Sequence, residues 1–218
     1  MREQMIRKIL NEKVIAIVRG FYGEDCLNLA KALHKGGVTL LEITFDQKDA
    51  ALREKTVETI RLLKAELGDK MSFGAGTVTT VEMVQMAKEA GAEYIISPDT
   101  NDAVIKATRE AGLVSIPGAL TPTEISYAYR CGADFVKVFP ASAMGVKYLK
   151  DVSAPLSHIR MLAVGGVDGS NVKDYFAAGA MGAGVAGCLF KKDWVKNGEW
   201  ERITAASSAF MALVKEQA

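Results

Sequence analysis

Four apolar stretches of this chain are introduced in the same way. Ala90-Gly91-Ala92, Ala111-Gly112-Leu113, Cys131-Gly132-Ala133 and Ala178-Gly179-Ala180 each separate a segment of helical spacing from a run of β-forming residues. Glycine just past the last helical residue is a stop signal, and the apolar run behind it reads as a strand. Strands that alternate with helices at short spacing form βαβ units and a parallel sheet.

The alternation extends along the whole chain. Residues 1–11 read as a short amphipathic helix, followed by a buried strand from Val14 to Arg19 that Gly20 ends. Cys26, Leu29, Ala30 and Leu33 lie on one helical face, and Gly36-Gly37 stops that helix. Strand two runs from Thr39 to Phe45, a charged helix covers 48–68, and strand three is Met71 to Thr77. Met83, Met86, Ala87 and Ala90 mark a helix, Tyr94 to Pro98 strand four, Val104, Ala107 and Ala111 the next helix, and Val114 to Pro117 strand five. Thr121-Pro122-Thr123-Glu124 is a helix start, with a threonine cap, proline in the first turn and an acid behind it. Strand six is Phe135 to Phe139, a shorter helical stretch covers 145–152, and strand seven is Met161 to Val164. Val172, Tyr175 and Phe176 give a helix, strand eight spans Gly182 to Phe190, and residues 199–216 close the chain as a helix. Eight such units suggest a closed (β/α)8 TIM barrel with a short N-terminal helix, one domain over residues 1–218. An open doubly wound sheet is the alternative, but no GxGxxG follows strand one.

Composition narrows the partners. A formal net charge of +1 over 218 residues gives no basic excess for nucleic acid and no polybasic run for an anionic membrane. No stretch has the length of a membrane span or the apolar core of a signal peptide. Cys26, Cys131 and Cys188 are odd in number and lack CxxC spacing, which argues against disulfides or a zinc site and fits a reducing cytoplasm. His34 and His158 are the only histidines, so neither a histidine metal site nor a histidine triad is expected.

The chemistry concentrates on Lys137. It shares a strand face with Phe135 and Phe139, and lysine is almost never fully buried without a partner. Burial disfavours the ammonium form, and a lysine of lowered pKa is a nucleophilic amine. Active sites of such barrels lie at the C-terminal strand ends, where Arg19, Glu42, Thr44, Thr77, Ser97 and Pro98 are also expected. If the face of Leu40, Glu42 and Thr44 is the barrel interior, Glu42 and Lys137 share one cavity. The bland alternative is a buried ion pair that fills the barrel, but such pairs are weak stabilisers, which favours function. Gly165-Gly166 and the strand-eight glycines Gly182, Gly184 and Gly187 stand where barrels bind phosphate through backbone N–H groups, or else serve tight turns.

Ordered motifs then carry a resemblance. They are Ala16-Ile17-Val18-Arg19, Gly36-Gly37 with Leu41-Glu42-Ile43-Thr44, Gly74-Ala75-Gly76-Thr77-Val78, Ile96-Ser97-Pro98, Ile116-Pro117-Gly118 with Thr121-Pro122-Thr123-Glu124, Val136-Lys137-Val138-Phe139-Pro140-Ala141, and Gly165-Gly166-Val167 with Asn171. The chain resembles the bacterial 2-keto-3-deoxy-6-phosphogluconate / 4-hydroxy-2-oxoglutarate aldolases, class I Schiff-base enzymes, over nearly its whole length. The resemblance implies a lyase that releases pyruvate from a 2-oxo acid, a homotrimer, and no metal or other cofactor. It implies Lys137 as Schiff-base lysine and Glu42 as general acid/base. Arg19, Thr77 and Pro98 would lie by the keto acid, Phe139 would form a pocket wall, and Gly165, Gly166, Gly187 and Cys188 would line the phosphate end. The family's leucine–arginine after Glu-x-Thr is Phe45-Asp46 here, its threonine before Gly-Gly is Val164, and its strand-eight serine–tryptophan is Cys188-Leu189. The arginine that would bind the substrate carboxylate is thus a carboxylate, so a changed substrate is expected. Whether Lys13, Arg53 or another base supplies the missing charge stays open. A sugar-phosphate isomerase and a non-catalytic metabolite-binding protein are the competing readings.

Overall fold

The structure is a computed structural model and describes residues 2–216. Its strands are β1 (Val14–Val18), β2 (Leu40–Thr44), β3 (Ser72–Gly76), β4 (Tyr94–Ile96), β5 (Val114–Ile116), β6 (Gly118–Ala119), β7 (Val136–Val138), β8 (Met161–Val164) and β9 (Gly182–Val185). All ladders are parallel, in the order β5-β4-β3-β2-β1-β9-β8-β7-β6. The two ends of that order, β5 and β6, are one strand divided at Pro117. Across this joint the amides of Phe135, Lys137 and Phe139 donate to the carbonyls of Ser115, Pro117 and Ala119 at 3.2, 2.8 and 3.0 Å, and the ring closes. The architecture is a (β/α)8 barrel.

The expected bounds need three changes. Strand five is broken because proline has no N–H to give the ladder. Strand eight ends at Val185, not Phe190, and residues 186–190 form a turn in which Leu189 donates to the Ala186 carbonyl at 2.9 Å. The helical stretch expected at 145–152 is present, but an unexpected short helical segment from Ala141 precedes it, and a kink at non-helical Gly145 (φ 77°, ψ 175°) separates the two within Ala141–Ser153.

Around the ring stand α1 (Arg2–Glu12), α2 (Gly23–Lys35), α3 (Ala50–Leu67), α4 (Val81–Glu89), α5 (Asp102–Glu110), α6 (Pro122–Arg130), α7 (Ala141–Ser153), α8 (Val172–Ala177), α9 (Lys192–Lys196) and α10 (Trp200–Lys215). Five of them end identically. Gly37, Gly91, Gly112, Gly132 and Gly179 take φ between +77° and +106°. At each, the glycine N–H bonds back three residues and the next N–H bonds back five, as in Gly112 to Arg109 (2.9 Å) and Leu113 to Thr108 (3.1 Å). This is the Schellman closure, which satisfies the last carbonyls and turns the chain into the next strand. Helix α6 begins with the expected capping box, Thr121 accepting from the Glu124 amide and Glu124 from the Thr121 amide.

Strand alternation sorts apolar residues into two cores. Val14, Ala16 and Val18, like Leu41, Ile43 and Phe45, face outward against the helices. Ile15, Leu40, Tyr94, Ile96, Val114, Ile116, Phe135, Leu162 and Val164 face inward. Helix α1 adds Met5, Ile6 and Ile9 to the inner core, so it plugs the end where the strands start. That leaves the opposite end, with the C-terminal strand ends, for polar side chains.

Candidate active site

Glu42 lies between outward-facing Leu41 and Ile43, and Lys137 between outward-facing Val136 and Val138, so both point into the barrel. Glu42 is 2% exposed and Lys137 7%. Strand β3 makes the room. A Cβ at Gly76 would sit 1.7 Å from Glu42 Oε1, and one at Gly74 would sit 2.1 Å from the Tyr94 ring. The two glycines let a carboxylate and an aromatic ring lie across the strand.

The surroundings push both groups toward neutrality. Burial raises the Glu42 pKa above its ordinary value, opposed by the charges of Lys137 and Arg19. Burial lowers that of Lys137, opposed by Glu42 and assisted by Arg19. Among the described residues Glu42 Oε2 has no hydrogen-bond partner. Lys137 Nζ stands 4.6 Å from the centroid of the Phe139 ring, whose side chain is half out in solvent at the mouth. A buried amine inclined to lose its proton, beside a carboxyl inclined to keep one, can combine nucleophilic attack with proton transfer.

Arg19 and Thr77 meet at the mouth, Arg19 Nη2 donating to Thr77 Oγ1 at 3.0 Å. Thr77 does not continue strand three as expected. It stands just beyond β3 at φ +56°, left-handed backbone that a β-branched residue rarely adopts. Pro98 also lies past its strand, with its carbonyl against Gly118, the β6 partner of Lys137. Asp46 Oδ1 accepts from the amides of Lys48 and Asp49, both at 2.8 Å. Those bonds, with the charges of Lys48 and Arg19, hold its pKa below the ordinary value. Lys13 precedes β1 at the plugged end, where its ammonium stands 5.9 Å from the Phe176 ring, far from any role at the mouth.

On the other side of Lys137 the loop after β8 approaches. Gly165 and Gly166 are both left-handed (φ +93° and +75°), and a Cβ on Gly165 would touch the Phe139 ring at 3.4 Å. Asn171 Nδ2 donates to the Gly166 carbonyl at 2.9 Å and its Oδ1 accepts from the Asp168 amide at 3.0 Å, which fixes the loop. Gly187 is exposed after β9 with open space around it. Cys188 turns its thiol toward the Val167 carbonyl at 3.9 Å, and burial raises its pKa to about 11. Among the described residues, no cluster of three or more His, Cys, Asp or Glu could hold a metal, and no helix is long and apolar enough to cross a membrane.

A model of the family "KDPG and KHG aldolase" matches residues 5–206. The chain belongs to that family. A 2-dehydro-3-deoxy-phosphogluconate aldolase of Haemophilus influenzae is 32% identical, with 92% of each chain covered. A native KDPGal structure superposes with TM-score 0.83 at 32% identity, covering 94% of this chain and 95% of that one. A KDPG aldolase of Legionella pneumophila, solved with pyruvate captured as a covalent carbinolamine, gives TM-score 0.81 at 27% identity over 91% and 94%. Aldolases are lyases, and this family member is one.

The structure brings the expected residues to one end of the barrel in two groups: Glu42, Lys137, Phe139 and the Gly165 loop, and Arg19 with Thr77. Sequence reasoning quoted Gly74 and Gly76 within a motif but gave them no role, and it overlooked Gln47. A glycine's need shows only when its cross-strand neighbour is known. Gln47 carried no signal beyond its place next to Asp46.

Proposed function

We propose that this aldolase cleaves a 2-keto-3-deoxy sugar acid, its 6-phosphate or 4-hydroxy-2-oxoglutarate to pyruvate and an aldehyde through a Schiff base on Lys137. The observation that carries this reading is the buried pair itself, amine and carboxyl both shifted toward their neutral forms. Neutral Lys137 attacks the C2 carbonyl, and the carbinolamine loses water to an iminium. The carboxylate form of Glu42 takes the C4 hydroxyl proton as the C3–C4 bond breaks, and the bonding electrons pass into the enamine. The aldehyde leaves, C3 is protonated, and water releases pyruvate and the amine.

Arg19 and Thr77 are proposed to hold the acid end, and Phe139 and Pro98 to wall the pocket. The backbone of Gly165, Gly166 and Gly187, with Cys188 beside it, receives the far end. At neutral pH the Cys188 thiol is uncharged and does not repel an anion there, yet it is a weaker hydrogen-bond donor than a hydroxyl. Val164 offers none. With Asp46 ionised at the mouth, the preferred substrate departs from the usual phosphorylated one. The assembly proposed with this reading is a homotrimer, for which exposed Tyr127, Tyr129 and Met144 offer apolar surface, and the setting a reducing cytoplasm, which suits three free cysteines. A monomeric mass in sedimentation removes the trimer.

The deciding experiment is intact mass after mixing protein, pyruvate and borohydride. One adduct is expected, absent from Lys137→Ala. An adduct persisting in Lys137→Ala ends the assignment. No adduct in the wild type, but one in Asp46→Arg, would mean that the site rejects pyruvate's carboxylate while the lysine remains competent.

A further inference from the structure

We propose that Gln47 is a positioning residue: through the backbone and hydroxyl of Thr77 it fixes the Arg19 guanidinium at the barrel mouth, and so sets how tightly the acid end of the substrate is held. The proposal deepens the function proposed above and rests on it for the identity of the ligand.

Gln47 lies in the loop between β2 and α3 and is exposed, yet both ends of its amide are engaged on the neighbouring loop after β3. Nε2 donates to the Thr77 carbonyl at 2.7 Å, and Oε1 accepts from the Thr79 hydroxyl at 2.7 Å. Ordering an exposed glutamine costs rotamer freedom, and a backbone frame already fixed at its base lowers the freedom left to lose. Here the frame is Asp46, whose carboxylate binds the Lys48 and Asp49 amides, while Asp49 in turn accepts from the Ala51 amide at 2.8 Å to start α3. The brace acts on the residue that needs one. Thr77 holds φ +56°, a conformation that persists only when its surroundings impose it.

Thr77 Oγ1 is the side-chain anchor of Arg19 at 3.0 Å. The Arg19 charge reaches Glu42, Lys137 and Asp46 alike. The three loops that follow β1, β2 and β3 are thus joined in the order Arg19, Thr77, Gln47, and the last link is the one not itself aimed at the reacting atoms. Without Gln47, Thr77 relaxes toward ordinary backbone and Arg19 loses its hold.

Two readouts test this. The first is cyanoborohydride trapping of pyruvate, followed by intact mass over a range of pyruvate concentrations. Gln47→Ala is expected to raise the half-saturating pyruvate concentration about tenfold, the scale of one lost hydrogen bond, with the maximal trapping rate changed less than about twofold. In an Arg19→Ala background the same change is expected to add little. Gln47→Glu sets a carboxylate against the Thr77 carbonyl at neutral pH. Its saturation relative to wild type is expected to recover as the pH falls and the protonated acid donates again, a rescue that a space-filling role would not give.

The second readout needs no aldolase chemistry. The NMR order parameter of the Arg19 Nε–H is expected to drop in Gln47→Ala. An unchanged order parameter, wild-type saturation in Gln47→Ala, or full additivity with Arg19→Ala overturns the proposal. Absence of wild-type trapping overturns the Schiff-base reading instead, and leaves the order parameter to decide on Gln47.

Discussion

Lys137 and Glu42 hold each other's proton affinity in check. The carboxylate raises the lysine's pKa against the larger lowering by burial. Removing it in Glu42→Gln therefore drops the lysine's pKa further. The acid limb of the pyruvate-trapping profile is expected to move to lower pH in that variant, measured as adduct yield against pH, even as cleavage of a full substrate falls 10²–10⁴-fold, roughly the worth of a positioned acid/base. An acid limb that stays where it is would mean that the pair does not interact. Gly76→Ala tests the same spot by volume. Its methyl would overlap the Glu42 carboxylate, so the carboxylate must move, at a cost of about 1–3 kcal/mol in stability and with loss of turnover. Urea melts and aldol cleavage rates check both. At this scale the sequence was legible where alternation alone decides: the inward faces of β2 and β7 follow from the placement of Leu41, Ile43, Val136 and Val138. It was silent where a residue's role depends on what lies across the strand, as at Gly76, or on a side chain from another loop, as at Thr77.

Among the elements, α1 has the clearest structural task. Its apolar side seals the inner core, and polar ties fasten its exposed side. Arg2 pairs with the buried carboxylate of Asp134, which also accepts from the Ser115 amide at 3.0 Å, and Lys8 donates to Ser72 Oγ at 2.9 Å. Asp134→Ala removes the helix's anchor and leaves the buried Ser115 amide without its acceptor. Chemical denaturation is expected to show a loss of about 2–3 kcal/mol, and Arg2→Ala is expected to cost a different amount, because it keeps the Ser115 bond but leaves the buried Asp134 carboxylate without its counter-charge. A double variant that costs as much as the two single ones added together would show that Arg2 and Asp134 do not interact. Helix and strand types were legible because five helices stop at a glycine and the apolar spacing changes there. The bounds that failed have local causes. Pro117 interrupts a strand that its apolar neighbours advertise as continuous. The glycine-rich run after Val185 turns early, and the kink at Gly145, whose φ of 77° lies outside the helical region, sets a short helical segment from Ala141 ahead of the stretch expected at 145–152.

For the whole molecule, the buried pair gives stability a pH dependence of two opposite slopes. The folded chain holds the Lys137 proton less tightly than the unfolded one, so stability rises with pH from the lowered folded value up to the ordinary 10.5. Glu42 acts the other way. From its ordinary 4.5 up to its raised folded value the folded chain keeps a proton that the unfolded chain has released, and stability falls across that window as pH rises. Replacing both, Glu42→Gln with Lys137→Met, is expected to flatten the two slopes and to leave the protein as stable at neutral pH or more so. Urea midpoints across the pH range check this, and a destabilised variant with unchanged slopes would show that the pair is not the source.

The Schellman closures have a consequence for heredity. Each repeats one backbone motif at the junction between one helix and the next strand, with the same two hydrogen bonds at Gly37, Gly91, Gly112, Gly132 and Gly179. A recombination joint placed at such a glycine imports a whole strand–loop–helix cassette from a relative and asks nothing new of the backbone on either side. Family members can therefore trade cassettes at these glycines, and with them the mouth loops that choose a substrate. A joint in the loop that holds Gln47 would part it from Thr77, its contact across two cassettes. Homologous shuffling of this family should accordingly yield folded progeny with crossovers concentrated at the glycines and depleted between residues 44 and 80.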